Sequence, residues 1–599
     1  MKLSDYVIQF VARQGVRHIF LLPGGGCMHL MDSVCRSKEL EFIACLHEQA
    51  AAIAADGYSQ YSRNLGVALV TTGPGSTNAI TGVAGSWIES VPVLILSGQV
   101  KTPDIKQSPE MRMLGFQEVN ITEMVKPITK YAVTIRDADS IRYHLEKAVH
   151  LAKTGRPGPV WIDIPLDMQA REVDPDNLQG FIPTAPPNQD QSPLQTSVAQ
   201  TLKLLLSARR PVLLAGNGVR NAQAEVIFRE VSDLLRMPIL LTWKAADLMP
   251  EECPWFSGRP GVLALRGANF TQQNADLILC VGARLDFGQI GYATETFARA
   301  AQKVIVDIDP LELGKFRFKV DLPILADAGA FLLELRRQLS CCAVPDWSGW
   351  LDRCRGWKEK YSAVDESALN QLSFVDSYML ISALSRKMTG DDLLVPGSSG
   401  ACSDIVLQTF KYKIGQRSLN SPGIGAMGFG LPQSMGACIA SGRRRTICVN
   451  GDGGFQLNIQ ELETVRRLNL PVKYFILNNN GYASMRTTHR NYFQGRLIAS
   501  DPGSGLTLPN VCRLAEAYGI ANNQIPNHRT LDSCIDEAFS SEGPFISEVI
   551  IDPEEQTRPK VKSALSADGR MVSKPLEDLF PFLNRQELAD NMLIPIVEG

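Results

Sequence analysis

The sequence lacks a strong net charge of either sign and any apolar run long enough to cross a membrane. The formal net charge of its 599 residues is −3, so no overall positive field favours nucleic acid or an anionic membrane as a partner. The N-terminal segment is not a signal peptide, because its apolar residues form a helical stripe rather than a continuous run. We therefore expect a cytoplasmic protein with no membrane and no nucleic-acid partner.

A cysteine framework is also missing. The 13 cysteines are scattered, odd in number, and include no Cys-x-x-Cys pair. This usage is typical of reduced thiols rather than of a disulfide scaffold or a zinc site. The sequence has no short-period repeat either, and its length predicts several domains rather than one.

Short apolar runs, many of which end in glycine, are the main pattern that is present. Each third of the chain has four such runs, with helical segments between them. They are HIFLLPGG, VALVTTGPG, VLILSGQ and VWIDIP in the first third, PVLLAGNG, PILLTW, LILCVGAR and VIVDID in the second, and LLVPGSSG, TICVNGDGG, YFILNNNG and FISEVIID in the last. Runs that are apolar along their whole length predict parallel strands buried on both faces. The predicted fold class is therefore α/β, with three doubly wound parallel-sheet domains. These domains are predicted at residues 1–175, 190–345 and 370–555, followed by a C-terminal tail at 556–599.

Two polar loops in the last predicted domain follow neighbouring strands. Asp452 lies just after the run TICVN, and Asn479 lies just after VKYFILN. Ligands bind beyond the carboxyl ends of such strands, so the oxygens of these two side chains would meet there. Together with a backbone carbonyl, assigned to Gly481, they would suit Mg²⁺ when phosphate supplies the remaining ligands. Gly453 and Gly454 would let backbone N–H groups approach a diphosphate. Either motif alone is common in turns, and it is the pair that favours a metal site.

One carboxylate, Glu48, heads the alanine-rich stretch 45–60. It is either a partner of the helix dipole or an acid held in a dry crevice for catalysis. Residues 423–428, GIGAMG, fit the pattern GxGxxG, but the preceding segment RSLNSP is not predicted as a strand. The pattern therefore indicates a tight turn or the close approach of another group rather than a dinucleotide site.

These segments together resemble thiamine diphosphate-dependent enzymes of the acetolactate synthase and pyruvate oxidase type. Gly-Asp-Gly followed by Asn-Asn is similar to that family's diphosphate and Mg²⁺ motif, and Glu48 resembles its catalytic glutamate. The segments RPGPVWIDIP and GIGAMGFGLP extend the resemblance over nearly the whole chain. It implies that Glu48 activates the aminopyrimidine of thiamine diphosphate for attack on a 2-oxo acid such as pyruvate, with a carbonyl compound as the acceptor.

The resemblance also implies roles for the residues around the cofactor. Gly25 would lie beside the reacting carbon, and Gln117, beside Phe116, would belong to an active-site pair. His29 flanks the proposed site and would orient a substrate oxygen. The alternatives are a satisfied core histidine, and a packed aromatic residue beside a surface amide.

The remaining implied residues contact the cofactor itself. The turn from Gly73 to Gly75 and Asn78 would line the pyrimidine. Gly425 would accept a hydrogen bond from the amino group, and Met427 would be the apolar wedge that bends the cofactor. A core methionine is the alternative for Met427.

Several segments depart from the family's synthases. GSSGACS offers Ser399 and Gly400 to the diphosphate where the synthases have a Gln-His pair, and Leu166 replaces a lysine. The segment GYASMRTTHRNYF replaces one that bears a tryptophan. The sequence resembles more closely the acetolactate synthase-like proteins of polysaccharide and deoxysugar pathways. A nucleotide-linked keto sugar is therefore a further candidate acceptor, and its diphosphate would meet three bases of one loop: Arg486, His489 and Arg490.

Other functions also fit the sequence. The alternatives to a carboligase are a 2-oxo acid decarboxylase and a flavin-dependent pyruvate oxidase. A non-catalytic scaffold is a third alternative, but the presence of Glu48, Asp452 and Asn479 argues against it. The resemblance implies FAD, ADP or no ligand in the central domain, with Arg156 and Arg284 near an FAD. It also implies a homodimer or homotetramer, because in that family the active site lies between the first domain of one subunit and the third domain of another.

Overall fold

Each of the three predicted domains contains a six-stranded parallel sheet with helices between its strands. The prediction of an α/β fold with three doubly wound sheets is therefore confirmed. The computed structural model describes residues 1–108, 110–183, 192–364, 373–565 and 571–597. The predicted boundaries at 190 and 370 lie outside the described residues.

The first sheet has the strand order β2-β1-β3-β4-β6-β5. Its strands are β1 (His18–Leu21), β2 (Glu41–Ala44), β3 (Gly66–Val70), β4 (Val93–Gln99), β5 (Tyr131–Thr134) and β6 (Val160–Pro165). Its α-helices are α1 (Leu3–Arg13), α2 (Met28–Arg36), α3 (Glu48–Ser62), α4 (Pro74–Asn78), α5 (Ile80–Glu89), α6 (Ile121–Val125), α7 (Ile141–Lys153) and α8 (Leu166–Ala170).

The second sheet has the strand order β12-β11-β10-β7-β8-β9. Its strands are β7 (Pro211–Ala215), β8 (Ile239–Leu241), β9 (Phe256–Gly258), β10 (Leu277–Val281), β11 (Gln302–Asp307) and β12 (Leu322–Leu325). The α-helices of this region are α9 (Ser192–Ser207), α10 (Gly218–Asn221), α11 (Glu225–Leu235), α12 (Arg266–Gln273), α13 (Phe287–Ile290), α14 (Pro310–Gly314), α15 (Ala328–Leu339) and α16 (Ser348–Lys360).

The third sheet has the strand order β14-β13-β15-β16-β18-β17. Its strands are β13 (Leu393–Pro396), β14 (Arg417–Ser418), β15 (Thr446–Gly451), β16 (Val472–Asn478), β17 (Ala521–Ile525) and β18 (Phe545–Ile550). The α-helices here are α17 (Ser377–Lys387), α18 (Ala401–Thr409), α19 (Gly430–Ala440), α20 (Asp452–Phe455), α21 (Glu461–Arg467), α22 (Ala483–Tyr492), α23 (Val511–Ala517) and α24 (Leu531–Ser540).

Both faces of the sheets are buried, which explains why the inner strands are largely apolar. In β4, Ile95 belongs to one hydrophobic core, and its neighbours Leu94 and Leu96 belong to another. Successive side chains of a strand point to opposite faces, so a strand that is covered on both sides has few polar positions. The polar residues that do occur are buried and hydrogen-bonded, as Asp163 of β6 is to Ser97 and Gln99 of β4. Among the described residues, no helix is long and apolar enough to cross a membrane.

The first and third sheets belong to one compact unit, and the central sheet belongs to a second. Within the first unit, α3 and α19 cross at two glycines. A β-carbon at Gly57 would collide with the carbonyl of Gln433, and one at Gly436 would collide with the carbonyl of Ala54. The absence of these β-carbons lets the two backbones touch, and this contact holds the third sheet against the helix that begins at Glu48.

The segment predicted as a C-terminal tail belongs to the same compact unit as the central sheet. It contains β19 (Ser563–Leu565), β20 (Met571–Ser573) and α25 (Arg585–Asn591). Glu577 accepts a hydrogen bond of 2.7 Å from Gln273 and forms an ion pair of 2.7 Å with Arg299. Leu576 and Leu588 are buried in a core of the central domain. This segment therefore covers the central domain instead of trailing from the third.

Candidate active site

Glu48 is the first residue of α3, and its side chain is only 6% exposed. His47 caps this helix, because its Nδ1 accepts the backbone N–H of Gln49 at 3.1 Å. The side-chain amide of Asn78 donates to Glu48 Oε2 at 3.0 Å. The two residues that the sequence placed on the pyrimidine side are thus in contact, and the second orients the carboxyl group of the first.

A glycine turn lies against the same carboxyl group. A β-carbon at Gly75 would be 3.3 Å from Glu48 Oε1 and would press on the side chain of Thr71. Gly73 has φ +67°, and a β-carbon there would collide with the carbonyl of Gln117. Gln117 itself has φ +65°, a strained value for a residue with a side chain. The structure therefore gathers Gln117, the glycine turn, Asn78 and Glu48 in one place.

Phe116 is 82% exposed, so the alternative of a packed aromatic residue is wrong. The loop on which it lies is nevertheless anchored, because both carboxylate oxygens of Glu118 accept backbone N–H groups, from Lys106 and Leu114, at 2.8 Å. An anchored loop with an exposed aromatic tip presents apolar surface for another molecule to contact.

Gly25 and His29 lie on the loop and helix that follow β1. The backbone N–H of Gly26 donates to Thr71 Oγ1 at 3.1 Å, which ties this loop to the glycine turn. A β-carbon at Gly25 would meet no atom within 4 Å, so the side of the loop on which it lies is open. His29 is half-buried near the start of α2, and its backbone carbonyl accepts from Ser33 Oγ at 2.9 Å. No contact in the described structure joins its ring to Glu48.

Asp452 begins α20 directly after β15, as the sequence predicts, and is 3% exposed. Its Oδ1 accepts the N–H of Gly453 at 2.9 Å, and its Oδ2 accepts the N–H of Gly481 at 3.0 Å. Burial raises the pKa of this carboxyl group to about 6, although both N–H groups oppose the increase. Because β15 and β16 are hydrogen-bonded neighbours, the loops after them leave the sheet at the same edge.

Asn479 follows β16 on the second of these loops and is largely buried. Arg486 donates to its backbone carbonyl at 2.9 Å and to its Oδ1 at 3.3 Å. Gly481 has φ +138°, and a β-carbon there would collide with the carbonyl of Ser500. The three predicted metal ligands therefore belong to two adjoining loops, the one after β15 and the one after β16. The hydrogen bond from the N–H of Gly481 to Asp452 joins the two loops.

Arg486 is only 2% exposed and is bonded to protein carbonyls, so it is not placed to meet an acceptor's diphosphate. That hypothesis is wrong for Arg486, and His489 is buried as well. Among the described residues, no group of three or more His, Cys, Asp or Glu side chains could hold a metal ion. A cation site here would thus depend on a single carboxylate and on neutral oxygens.

The loop after β13 lies against the end of β15 and the start of α22, which flank the Asp452 and Asn479 loops. A β-carbon at Gly397 would be 2.8 Å from Asn450 Oδ1, and one at Gly400 would be 3.4 Å from Ser484 Oγ. Ser399 lies between these glycines, and its carbonyl accepts from the Cys402 thiol at 3.2 Å. Three strand-end loops therefore converge where the sequence predicts a diphosphate.

This convergence leaves buried polar atoms that a ligand would satisfy. Ser398 Oγ and Asn450 Nδ2 are buried, and neither has a hydrogen-bond partner within the part of the chain that the structure describes. A buried donor without a partner costs free energy, so each such atom requires an explanation. Both can donate to an anionic oxygen, and together with Asp452 and Asn479 they form a donor and acceptor set that fits a diphosphate with a divalent cation.

The segment with Gly425 and Met427 borders this cradle. Gly425 has φ +59°, and a β-carbon there would be 3.8 Å from the carbonyl of Ser398. Met427 is 39% exposed, so the alternative of a core methionine is wrong. A β-carbon at Gly454 would be 4.0 Å from Met427 Cβ. Because Gly454 has no side chain, it leaves room beside the exposed Met427.

Arg156 and Arg284 belong to different compact units. Arg156 donates to Ser90 Oγ at 2.9 Å within the first domain. Arg284 pairs with Asp286 at 2.8 Å on the loop after β10. In the central domain Gly218 and Gly282 pack backbone against backbone. This close contact between the two loops is enough to require glycine at both positions, with or without a bound ligand. The structure thus gives each arginine a protein partner.

Sequence reasoning missed one buried acid. Glu461, at the start of α21, accepts the backbone N–H groups of Leu46 and His47 at 2.7 and 3.0 Å. Burial raises the pKa of this carboxyl group. It ties the third domain to the loop directly before Glu48, within the same compact unit. The sequence indicated only an acid in the first turn of a helix, because the loop it contacts is more than 400 residues away along the chain.

Comparison with known proteins identifies the family. Three family models match the chain: the N-terminal TPP binding domain of thiamine pyrophosphate enzymes at residues 1–124, their central domain at 198–335, and their C-terminal TPP binding domain at 398–549.

Several named relatives align along most of the chain. The probable acetolactate synthase large subunit of Methanocaldococcus jannaschii is 32% identical and covers 93% of each chain. The acetolactate synthase isozyme 2 large subunit of Escherichia coli (strain K12) is 32% identical, over 96% of this chain and 100% of its own. The acetolactate synthase large subunit of Lactococcus lactis is 31% identical, over 94% and 95%. This chain, with its buried Glu48 and the Asp452 and Asn479 loops, belongs to the thiamine pyrophosphate enzyme family.

Proposed function

We propose that the protein is an acetolactate synthase-like carboligase that decarboxylates a 2-oxo acid, pyruvate first, and transfers the remaining two-carbon unit to a carbonyl acceptor. One observation carries this proposal. The Glu48 carboxyl group is buried, is oriented by Asn78, and faces a turn whose glycines leave room beside it. The names of relatives that align along nearly the whole chain support the same reaction class.

The chain's own residues would place and activate the cofactor. When bound, thiamine diphosphate supplies the nucleophilic carbon and the electron sink for decarboxylation. Glu48 would exchange a proton with a ring nitrogen of its pyrimidine, and Asn78 would keep the carboxyl group in position. The carbonyl of Gly425 would accept from the pyrimidine's amino group, while Met427 would press between the two rings. Gln117 and His29 would lie beside the substrates.

Magnesium would be held by Asp452, Asn479 Oδ1 and the carbonyl of Gly481. A single carboxylate with neutral oxygens suits Mg²⁺ when phosphate oxygens complete the shell. Ser398 Oγ and Asn450 Nδ2, which lack partners among the described residues, would donate to the diphosphate. Ser399, Gly400, Gly453 and Gly454 would border it.

For the central domain we assign FAD in a structural role, near Arg284. The support is positional, since the loops after β7 and β10 are where doubly wound sheets bind dinucleotides. Flavin absorption in the visible spectrum of the purified protein tests this assignment. A colourless protein that gains no flavin on incubation with FAD would contradict it.

The proposed location is the cytoplasm. All 13 cysteines are free, and seven of them are buried. Unpaired thiols in this number are typical of a reducing compartment. The proposed assembly is a homodimer or homotetramer, which would cover exposed apolar side chains such as Met28, Phe116 and Met427.

The decisive experiment offers pyruvate together with a panel of keto acids, aldehydes and nucleotide-linked keto sugars, and identifies the products by mass spectrometry. We expect a product that is two carbons longer than one acceptor, formed only with thiamine diphosphate and Mg²⁺, and absent in Glu48→Gln. Free acetaldehyde as the only product would indicate a decarboxylase. Reduction of an artificial electron acceptor would indicate a flavin-dependent oxidase.

A further inference from the structure

The guanidinium of Arg486 joins three segments at the edge of the third sheet. From α22, Nη1 donates to the carbonyl of Ser500 at 2.8 Å. Nη2 donates to the carbonyls of Asn479 and Pro553, each at 2.9 Å. The side chain is 2% exposed, so these bonds replace water that the group has lost.

The same nitrogen also contacts the side chain of Asn479. Nη2 lies 3.3 Å from Asn479 Oδ1. An amide oxygen has two lone pairs, so one can accept from the guanidinium while the other stays available for a cation. Because the backbone and the side chain of Asn479 both contact the planar guanidinium of Arg486, this guanidinium holds both the position and the rotamer of Asn479.

We infer that Arg486 is a positioning residue for the magnesium site, acting on Asn479 and on the loop that continues to Gly481. This inference rests on the proposed function, in which Asp452, Asn479 and Gly481 hold Mg²⁺. The loop is also held by the bond from the N–H of Gly481 to Asp452 Oδ2 and by the bond from the N–H of Tyr482 to the carbonyl of Ser500, a carbonyl that Arg486 also contacts. Groups that hold a metal ligand in place without touching the metal typically change metal affinity roughly 10- to 100-fold when they are removed.

Electrostatics alone would give the opposite effect. A buried cation near a divalent cation opposes metal binding, and the acids that offset the charge of Arg486 are Asp501 and Asp452. Removal of the arginine charge should therefore strengthen Mg²⁺ binding if charge is what matters, and should weaken it if geometry matters. The sign of the change separates the two roles.

The test measures Mg²⁺ affinity by calorimetry in the presence of saturating thiamine diphosphate, for wild type, Arg486→Lys and Arg486→Gln. We expect both variants to bind Mg²⁺ roughly 10- to 100-fold more weakly, since lysine keeps the charge but cannot span three segments. Activity should return toward the wild-type level at high Mg²⁺. With Mn²⁺ in place of Mg²⁺, electron paramagnetic resonance should report an altered coordination environment.

Arg259→Lys is the matched control. Arg259 is also a buried arginine that caps carbonyls, those of Leu407 at 2.8 Å and Phe410 at 2.7 Å, but it belongs to the other compact unit. We expect its substitution to lower thermal stability and to leave Mg²⁺ affinity unchanged. Such a result excludes general destabilisation as the cause of weaker binding in the Arg486 variants.

Two results would overturn the inference. Wild-type or tighter Mg²⁺ binding by folded Arg486→Gln or Arg486→Lys would remove the positioning role and leave the metal site intact. Mg²⁺-dependent cofactor binding that survives in Asp452→Ala would instead refute the metal site itself, and with it this inference.

Discussion

Asp452 is a carboxylate that the fold buries at a cost. Its pKa of about 6 in the folded protein, caused first by burial, lies above the ordinary value of 3.8. A raised carboxyl pKa means that the folded state holds its proton more tightly than the unfolded chain does. The charge therefore destabilises the cofactor-free fold increasingly from about pH 4 to 6, and fully above that range.

Asp452→Asn should consequently gain stability relative to wild type as the pH rises, while it abolishes Mg²⁺-dependent cofactor binding. The amide has one oxygen for the two backbone N–H groups of Gly453 and Gly481, so the variant loses one hydrogen bond at every pH. We expect the free energy of unfolding of the variant, relative to wild type, to become more favourable by roughly 1–3 kcal/mol between about pH 4 and about pH 8. Urea denaturation at the two pH values and calorimetry with thiamine diphosphate measure the two effects. A difference between variant and wild type that is the same at both pH values would contradict the argument.

Glu48→Gln separates cofactor binding from cofactor activation. Glutamine keeps the size of the side chain and an acceptor for Asn78, so thiamine diphosphate should bind with an affinity close to wild type. Proton transfer to the pyrimidine is lost, and a group of this kind contributes typically about 10²- to 10⁴-fold. Exchange of the thiazolium C2 hydrogen with deuterium, followed by NMR, should slow by that factor. An unchanged exchange rate would remove Glu48 from the mechanism.

Individual residues differ in how far the sequence predicts them. Asp452 and Asn479 were placed correctly at the ends of β15 and β16, because strand-end position is readable from an apolar run. Arg486 was misplaced, because a sequence gives the charge of a side chain but not whether it points inward. Its buried position depends on the carbonyls of Ser500 and Pro553, which come from distant segments.

At the scale of elements, the strands that were predicted are the inner ones and those that were missed are the outer ones. Each sheet contributes four continuous apolar runs, and its two edge strands have none: β2 and β5, β9 and β12, β14 and β17. The burial of β5 is intermediate throughout, and in β17 only the last residue, Ile525, is buried. An edge strand is covered on fewer sides, so its sequence carries a weaker signal.

The crossing of α3 and α19 leads to a pair of glycine substitutions with opposite effects. Gly436→Ala adds a β-carbon that collides with the carbonyl of Ala54, which is backbone and cannot turn away. We expect it to lower the free energy of unfolding by about 1–3 kcal/mol. Gly356→Ala, in the interior of α16 with no atom within 4 Å of its β-carbon, should raise it by about 0.5–1 kcal/mol.

Urea denaturation of both glycine variants tests this prediction. Gly356→Ala is the control for the intrinsic gain that alanine brings to any helix, and the difference between the two variants isolates the steric cost. If Gly436→Ala were as stable as Gly356→Ala, the helices would have room to separate, and the close crossing would not be a constraint on the fold.

At the scale of the whole molecule, the sequence predicts the three sheets, but it does not predict how they are grouped into compact units. The predicted boundaries at 175, 345 and 555 remain proposals. Packing joins the first and third sheets into one unit and adds the C-terminal segment to the central one. These groupings depend on contacts such as those of Gly436 and Glu577, which join residues hundreds of positions apart and leave no local pattern.

The proposed assembly makes a prediction about mixtures of inactive chains. If each site takes Glu48 from one subunit and Asp452 from another, a dimer of one Glu48→Gln chain and one Asp452→Ala chain contains one intact site. The mixed dimer should then have about half of wild-type activity, because one of its two sites is intact. Coexpression with two different affinity tags, followed by assay of the doubly tagged species, measures this recovery. Wild type paired with the double variant is the control, because such a dimer would have no intact site. Recovery in that control but not in the first mixture would mean that each site is built within one chain.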